Sequence, residues 1–249
     1  MTATIAIVLA ITMLGTIVQG VAGTGFGMVV VVVFVWLFGP VEGVLLGNIL
    51  GCINATTYTA AGWRDIEWRT MLRLSIGAVP AMAAALVTIH YVSETALDLG
   101  VGILLAVLVT FSFLARFAPP TRSTAAQYLA GFFSGFCSTC VAQSGPVLVA
   151  YAQASRWDHR HFAATIQPFF VFINLFNVPA KIAFAVSAGG LTLSWSVVAT
   201  ALVAIAVGVV ISRRLARIIP ASTARLIALT IASVGAVVIA GRGIVGLLT

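Results

Sequence analysis

Along this chain, apolar residues run in long blocks without a sustained polar face, punctuated by glycine, proline, amides or charge. The first block, Thr4 to Val18, ends in a glycine cluster, Gln19-Gly20-Val21-Ala22-Gly23-Thr24-Gly25-Phe26-Gly27. Met28 to Phe38 follows and is predicted to be helical. Its eleven residues cover only about half of a bilayer core at about 1.5 Å rise per residue. Gly39-Pro40 closes that piece, and Val41 to Ala61 is long enough to span, with Asn48 and Asn54 inside it. Met71 to Ile89 and Leu99 to Leu114 complete the first half. The second half repeats the plan. Ala125 to Cys140 breaks at Val141 to Pro146, Val147 to Ala154 is again half-length, and Phe162 to Val186 is a long span carrying Gln167, Asn174, Asn177, Pro179 and Lys181. Trp195 to Ile211 and Leu226 to Ala240 close the chain.

Composition removes the soluble reading. Hydrophobic residues make up 61% and charged residues 8%, with a mean hydropathy of +1.15; soluble domains carry about a quarter charged residues. Hydrocarbon is the solvent, and helices are the spanning element, because every backbone polar group must be satisfied internally. A β-barrel needs alternating polarity, and Val29 to Val33 does not alternate. The net charge of +7 sits almost wholly in short connections, which argues against nucleic acid as a partner. The first 22 residues hold no Lys or Arg, predicting a retained helix rather than a cleaved leader. Nothing in the sequence calls for a cofactor or a metal.

Connection charge sets the topology, because Lys and Arg favour the cytoplasmic side. If each broken pair is a hairpin returning to its own side, the connections Arg64 to Arg73, Arg116 to Arg122, Arg156 to Arg160 and Arg213 to Arg225 are all cytoplasmic. The Glu94/Asp98 connection and the turn Ser187 to Leu191 are then outside, as are both termini, with Arg242 the one exception. Three crossings plus a hairpin is an odd count, so the second half is inverted. The expected fold is an all-α polytopic membrane protein of two inverted-topology repeats, residues 1–118 and 119–249, each a broken-helix hairpin plus three transmembrane helices. The two hairpin tips are expected to meet near the midplane.

Broken helices in a membrane line cavities, and a half-helix N-terminus aims unpaired N–H groups and a positive dipole end at them, which makes an anion site. At the second break Ser144 is the expected N-cap, with Gly145 and Pro146 following and Ser138, Thr139 and Gln143 preceding it. At the first, Thr24, Gly25 and Gly27 play that part for Met28 onward. Asn48, Asn54 and the helical stripe Gln167, Asn174, Asn177 are candidate polar lining, and Lys181, the only lysine, is a candidate counter-charge. The competing readings are close helix packing by small residues and interhelical hydrogen bonds by the amides, and a lysine that snorkels to the surface. Cys137 and Cys140 form a Cys-x-x-Cys pair, which raises a membrane thiol oxidoreductase as a different class. Cys52 is the one remaining cysteine, where an exchanging pair would be wanted.

These residues resemble the TauE/SafE sulfite exporter-like permeases. The resemblance spans essentially the whole chain. It rests on the duplicated glycine-rich break, on Gly131-x-x-Ser134-Gly135 leading to Ser144-Gly145-Pro146, and on Arg156-Trp157-Asp158-His159-Arg160-His161-Phe162-Ala163-Ala164-Thr165 followed by Gln167-Pro168. The chain departs from the usual double glycine at the second break, with Ser144-Gly145 after Cys140-Val141-Ala142-Gln143. The resemblance implies a non-enzymatic permease of the inner membrane that moves sulfite, an organosulfonate or another small organic anion by alternating access. Assembly as a homodimer is left open.

Overall fold

A computed structural model describes residues 2–91, 103, 107, 110, 123–187 and 194–248. Among the described residues there are eight α-helices, one short 3-10 turn and no strand. The first half holds α1 (Thr2–Ala22), α2 (Phe26–Gly62), the 3-10 turn Trp63–Asp65 and α3 (Trp68–Tyr91). The second holds α4 (Thr124–Val141), α5 (Gly145–Ser155), α6 (His159–Ser187), α7 (Trp195–Leu215) and α8 (Ala221–Leu248). The span expected at Leu99 to Leu114, the Glu94/Asp98 connection and the midpoint linker around Arg116 to Arg122 lie outside the described residues, apart from positions 103, 107 and 110. The turn after Ser187 also lies outside them.

Among the described residues, four helices are long and apolar enough to cross a bilayer, over Ala3–Ala22, Trp68–Ile89, His159–Ala183 and Trp195–Leu215. Gly39 interrupts α2 with a left-handed φ of 81°, so Phe26 to Phe38 forms the expected half-length piece and the chain from Pro40 to Gly62 a full-length one. The apolar half-helix α5 has eleven residues.

The breaks are shorter than the glycine clusters suggest. α1 continues through Gly20 to Ala22, four residues past the expected end at Val18, and a Cβ at Gly20 would meet the Tyr58 and Ser212 hydroxyls at 2.5 Å. Glycine there serves close packing, and the chain leaves the helix only at Gly23 to Gly25, where φ is 80° at Gly23 and 126° at Gly25. Both values favour a residue without Cβ. At the second break Ala142 closes α4 in the left-handed conformation, its N–H bonded to the Ser138 carbonyl, and α5 starts three residues on.

The largest interfaces join α3 to α4, α1 to α7 and α2 to α6, so each couples the first half of the chain to the second. At the α3–α4 crossing, Gly131 lies against the backbone of Leu74 and Gly77 against that of Tyr128, while a Cβ on Gly135 would come within 2.8 Å of the Ala78 carbonyl. Three glycines thus bring two backbones together, the usual way to gain packing where lipid provides no hydrophobic drive between helices. The α1–α7 contact uses the same device at Gly208 against Thr16.

On one face of the bundle the connection after α2 is clasped to the start of α6. Arg160 pairs with Asp65 at 2.8 Å, the Trp157 indole N–H donates to Glu67 Oε1 at 3.1 Å, and the Glu67 N–H donates to Thr165 Oγ1 at 2.9 Å. Thr70 donates to the other oxygen of Glu67. Asp158 caps α6, accepting from the N–H groups of Arg160 and His161. These bonds to His161 and Arg160 hold its carboxyl below the usual carboxylate value. The Arg64 to Arg73 and Arg156 to Arg160 connections, expected on one side of the membrane, are therefore in direct contact.

Candidate functional site

Both breaks open onto one cavity of about 40 Å³, lined by Gln19, Thr24, Gly25, Phe26, Gly27, Met28, Gly47, Asn48, Gly51, Ser138, Ala142, Gln143, Ser144, Gly145, Phe170, Ile173 and Asn174. Gly47 to Gly51 lie in the middle of the second part of α2 and Phe170 to Asn174 in the middle of α6, so the cavity sits at mid-depth in the bundle. The two tips touch: Gly145 lies against Thr24 Oγ1, and a Cβ on Gly27 would meet the Ala142 carbonyl at 2.5 Å. Either side chain would drive the tips apart, which accounts for glycine at both positions. The first tip also reaches past the cavity, with Gly23 packed against Ala163, one turn into α6.

The helix starts supply donors. In α2 the first intrahelical bond runs from Val29 N–H to Gly25 O, so the N–H groups from Gly25 to Met28 have no partner in the helix. Gln19 Oε1 takes the Phe26 N–H at 3.3 Å. The N–H groups of Gly27 and Met28, both lining residues, have no partner in the helix. In α5 the first bond is Leu148 N–H to Ser144 O, Pro146 has no N–H, and Gly145 and Val147 are the counterparts. Ser144 occupies the expected N-cap position, but its hydroxyl makes no cap hydrogen bond. At the first break the N-cap is Gly25 and the helix starts at Phe26, which corrects the expectation that Thr24 would cap a helix from Met28.

Between these starts stand amides without partners. Among the described residues, neither side-chain atom of Asn48 or Gln143 has a hydrogen-bond partner, and Asn174 Oδ1 has none. The three side chains are 1%, 2% and 6% exposed, too buried for bulk water to satisfy them. The Asn174 amide nitrogen donates one of its two hydrogens to the Phe170 carbonyl at 2.8 Å and retains the other. Buried polar groups are paired in the great majority of cases; five amide atoms of Asn48, Gln143 and Asn174 on this lining are not.

Nine of the fourteen residues singled out from sequence line this cavity: Thr24, Gly25, Gly27, Asn48, Ser138, Gln143, Ser144, Gly145 and Asn174. The other five lie elsewhere. Gln167 braces the first break, donating to the Gly23 carbonyl at 2.7 Å and accepting from Gln19 Nε2 at 2.8 Å. Asn177 and Thr139 are bonded to each other at 2.7 Å, and the Asn177 amide nitrogen donates to Ser138 Oγ at 3.3 Å, which secures the last turn of α4. Asn54 is buried with both amide atoms unpartnered but lies off the cavity. Lys181 is 7% exposed, so it lies inside the bundle. Its ammonium has no hydrogen-bond partner. It sits about 10 Å beyond Asn174 along α6 and does not reach the cavity lining. Cys52, Cys137 and Cys140 are free thiols.

Eight lining residues were missed by sequence reasoning, Gln19, Gly47 and Gly51 among them. Gln19 carried a signal, since it is an amide at the edge of the first glycine cluster. Gly47 and Gly51 are set four apart on α2 beside Asn48, a spacing that places them on one helical face.

The sequence profile described as Sulfite exporter TauE/SafE matches residues 7–239. The chain belongs to the TauE/SafE sulfite exporter family. A member from Cupriavidus necator, described as a probable sulfite/organosulfonate exporter, is 26% identical over 142 residues, covering 54% of this chain and 55% of that protein. The match thus spans about half the length of that relative. No solved structure matches. TauE/SafE membership and the four apolar helices make this a multi-pass membrane protein. The Arg156 to Thr165 run, one of the segments by which the chain resembles TauE/SafE permeases, lies away from the cavity, in the clasp between the two halves.

Proposed function

We propose that this chain carries a small sulfur-containing oxyanion, sulfite or an organosulfonate, across the inner membrane by alternating access between two inverted halves, residues 1–118 and 119–249. The observation that carries the reading is the cavity itself, where two helix N-termini, the unpartnered amides of Asn48 and Gln143 and the unpartnered oxygen of Asn174 converge in an apolar bundle. Each helix start contributes about half a positive charge, and the unpaired N–H groups of Gly27, Met28 and Gly145 point the same way. The inverted arrangement draws support from the exchange of partners between halves. The long arm of the first hairpin, α1, packs on α7, and the long arm of the second, α4, packs on α3. Trp68 and Trp195, matched by their place in the two halves, each begin the helix concerned.

In this mechanism the substrate binds between the tips, and the hairpin-bearing halves rock about it so that the cavity opens first to one side and then to the other. Lys181 lies beyond the binding cavity on the outer side and attracts anions toward it without joining the donor set. The relative from Cupriavidus necator is described as an exporter, and outward movement is the direction proposed.

The test is flux of a radiolabelled sulfonate through proteoliposomes holding the purified protein. Saturable flux is expected, with Gln143→Ala and Asn48→Ala each lowering it by about tenfold or more, the equivalent of one lost buried hydrogen bond. Unchanged flux in both variants overturns the site. Flux that neither saturates nor shows exchange replaces the carrier with a channel.

A further inference from the structure

One cation is buried outside the cavity with nothing described to neutralise it. Lys181 is 7% exposed, and its Nζ is closed off from solvent and without a hydrogen-bond partner. Among the described residues the ion pairs are Arg160 with Asp65 and His161 with Asp158, so no carboxylate is paired with it. Resting on the carrier reading and the hairpin topology proposed above, we propose that the Lys181 ammonium is a second anion subsite, where the transported oxyanion stops between the cavity and the outer face.

Three observations converge on this. The first is burial. A lysine that snorkels keeps its ammonium in water, and this one does not. A cation inside an apolar bundle is costly and faces a partner or a pathway. The second is position. Asn174, Asn177 and Lys181 follow at spacings of three and four, on one face of α6. Asn174 lines the cavity. Asn177 is bonded to Thr139 and to Ser138, and Ser138 is itself a lining residue. A polar stripe therefore runs from the cavity to one turn short of Lys181, about 6 Å along the helix. Because α6 begins at the clasp, this stripe leads away from the clasped face, toward the turn expected outside. The third is the company Lys181 keeps. α2 runs antiparallel to α6, with Gly62 against Ala164 and Gly51 against Asn174. The same register brings Lys181 about level with Val44, which sits in a buried cluster with Val31, Val35 and Val141. Those side chains offer no counter-charge.

The two subsites hold an anion by different means. In the cavity the donors are neutral amides and helix starts, set in a fixed geometry. At Lys181 a full charge with three rotatable donors takes any small oxyanion through charge-assisted hydrogen bonds. Selection therefore belongs to the cavity, and Lys181 serves release and capture on the outer side.

The experiment measures half-saturating concentrations for radiolabelled methanesulfonate exchange from each face, in right-side-out and inverted membrane vesicles carrying the full-length protein. Lys181→Met is expected to raise the outer-face value about tenfold or more, the equivalent of a lost hydrogen bond to a charged group, and to leave the cytoplasmic-face value unchanged. Lys181→Arg restores most of the loss. Raised ionic strength leaves the difference in place, because a buried pair is screened much less than attraction across solvent. Gln143→Ala, in the cavity, weakens exchange from both faces. An unchanged outer-face value in Lys181→Met overturns the subsite and leaves the cavity standing. Equal losses at both faces overturn it as well, since Lys181 then acts on the cavity itself. So does the same outer-face loss in Glu42→Gln, Glu94→Gln or Asp98→Asn, the carboxylates expected toward that side, which makes the lysine half of an internal ion pair. Absence of exchange by the wild type overturns the carrier reading and the subsite together. Comparison of Lys181→Gln with Lys181→Arg decides the question even if Lys181→Met fails to fold.

Discussion

Burying the complete side-chain amide of Gln143 without a protein partner costs about 1–3 kcal/mol, and the same holds for Asn48, so under the proposed anion site these residues trade stability of the empty protein for binding. Gln143→Ala and Asn48→Ala are therefore expected to leave the thermal midpoint of the ligand-free protein unchanged or raised, while abolishing the upward shift that a bound anion produces. Thermal unfolding with and without sulfite reads both effects, and a lowered midpoint with the ligand shift intact would make these amides structural. Gln167 and Asn177 behave in the opposite way, because their amides are already spent on Gly23 and Gln19 and on Thr139 and Ser138. Alanine at either site strands buried partners and is expected to destabilise the protein by about 1–3 kcal/mol, measured as a lowered midpoint. From sequence, the four amides looked alike. Gln167, Asn174 and Asn177 share a helical face at spacings of seven and three, and only the elements packed against that face separate the brace from the site.

The half-length helices were legible because glycine, proline and an abrupt loss of apolar run length are local signals. Gly39-Pro40 ended a helix where expected, and α5 begins at Gly145 with Pro146 in its first turn. What glycine does at each position was not legible, since a conformational glycine at Gly25 and a packing glycine at Gly20 look the same in sequence. The α3–α4 crossing shows the packing use most clearly. Gly131→Ala places a Cβ on the Leu74 carbonyl, backbone that cannot yield as a side chain would, and is expected to cost about 1–3 kcal/mol without changing ligand preference. Denaturation and binding measured on the same variant separate the two. At the α6 start, Asp158→Ala removes the acceptor for the N–H groups of Arg160 and His161 and lowers the thermal midpoint at neutral pH. The folded-state pKa of this carboxyl lies below the ordinary value of 3.8, so its contribution is complete above that value and is lost as the pH falls through the folded one. The midpoints of the wild type and Asp158→Ala are expected to converge in that acid range.

At the scale of the molecule, positive charge in the connections and contact between them point the same way. Arg160 reaches Asp65, and Tyr58, near the end of α2, bonds Ser212 near the end of α7, so the connections after α2, before α6 and after α7 gather on one face. Single cysteines at Arg64, Arg160 and Arg217, in a background with Cys52, Cys137 and Cys140 replaced, are expected to react with an impermeant maleimide only from the cytoplasmic side. A cysteine at Trp195 is expected to react only from outside, and labelling of Arg217→Cys from outside would overturn the hairpin topology. The sequence by itself determined that this is a helical membrane protein with two interrupted segments, because hydropathy, run length and breaker residues are properties of the chain read one element at a time. Only the tertiary structure decided that Thr24 touches Gly145, that Gln143 and Asn48 face one cavity while Asn54 does not, and that Lys181 is buried in the bundle rather than in the lining. Those facts depend on which helix faces which across the bundle, and no local pattern encodes the choice of partner.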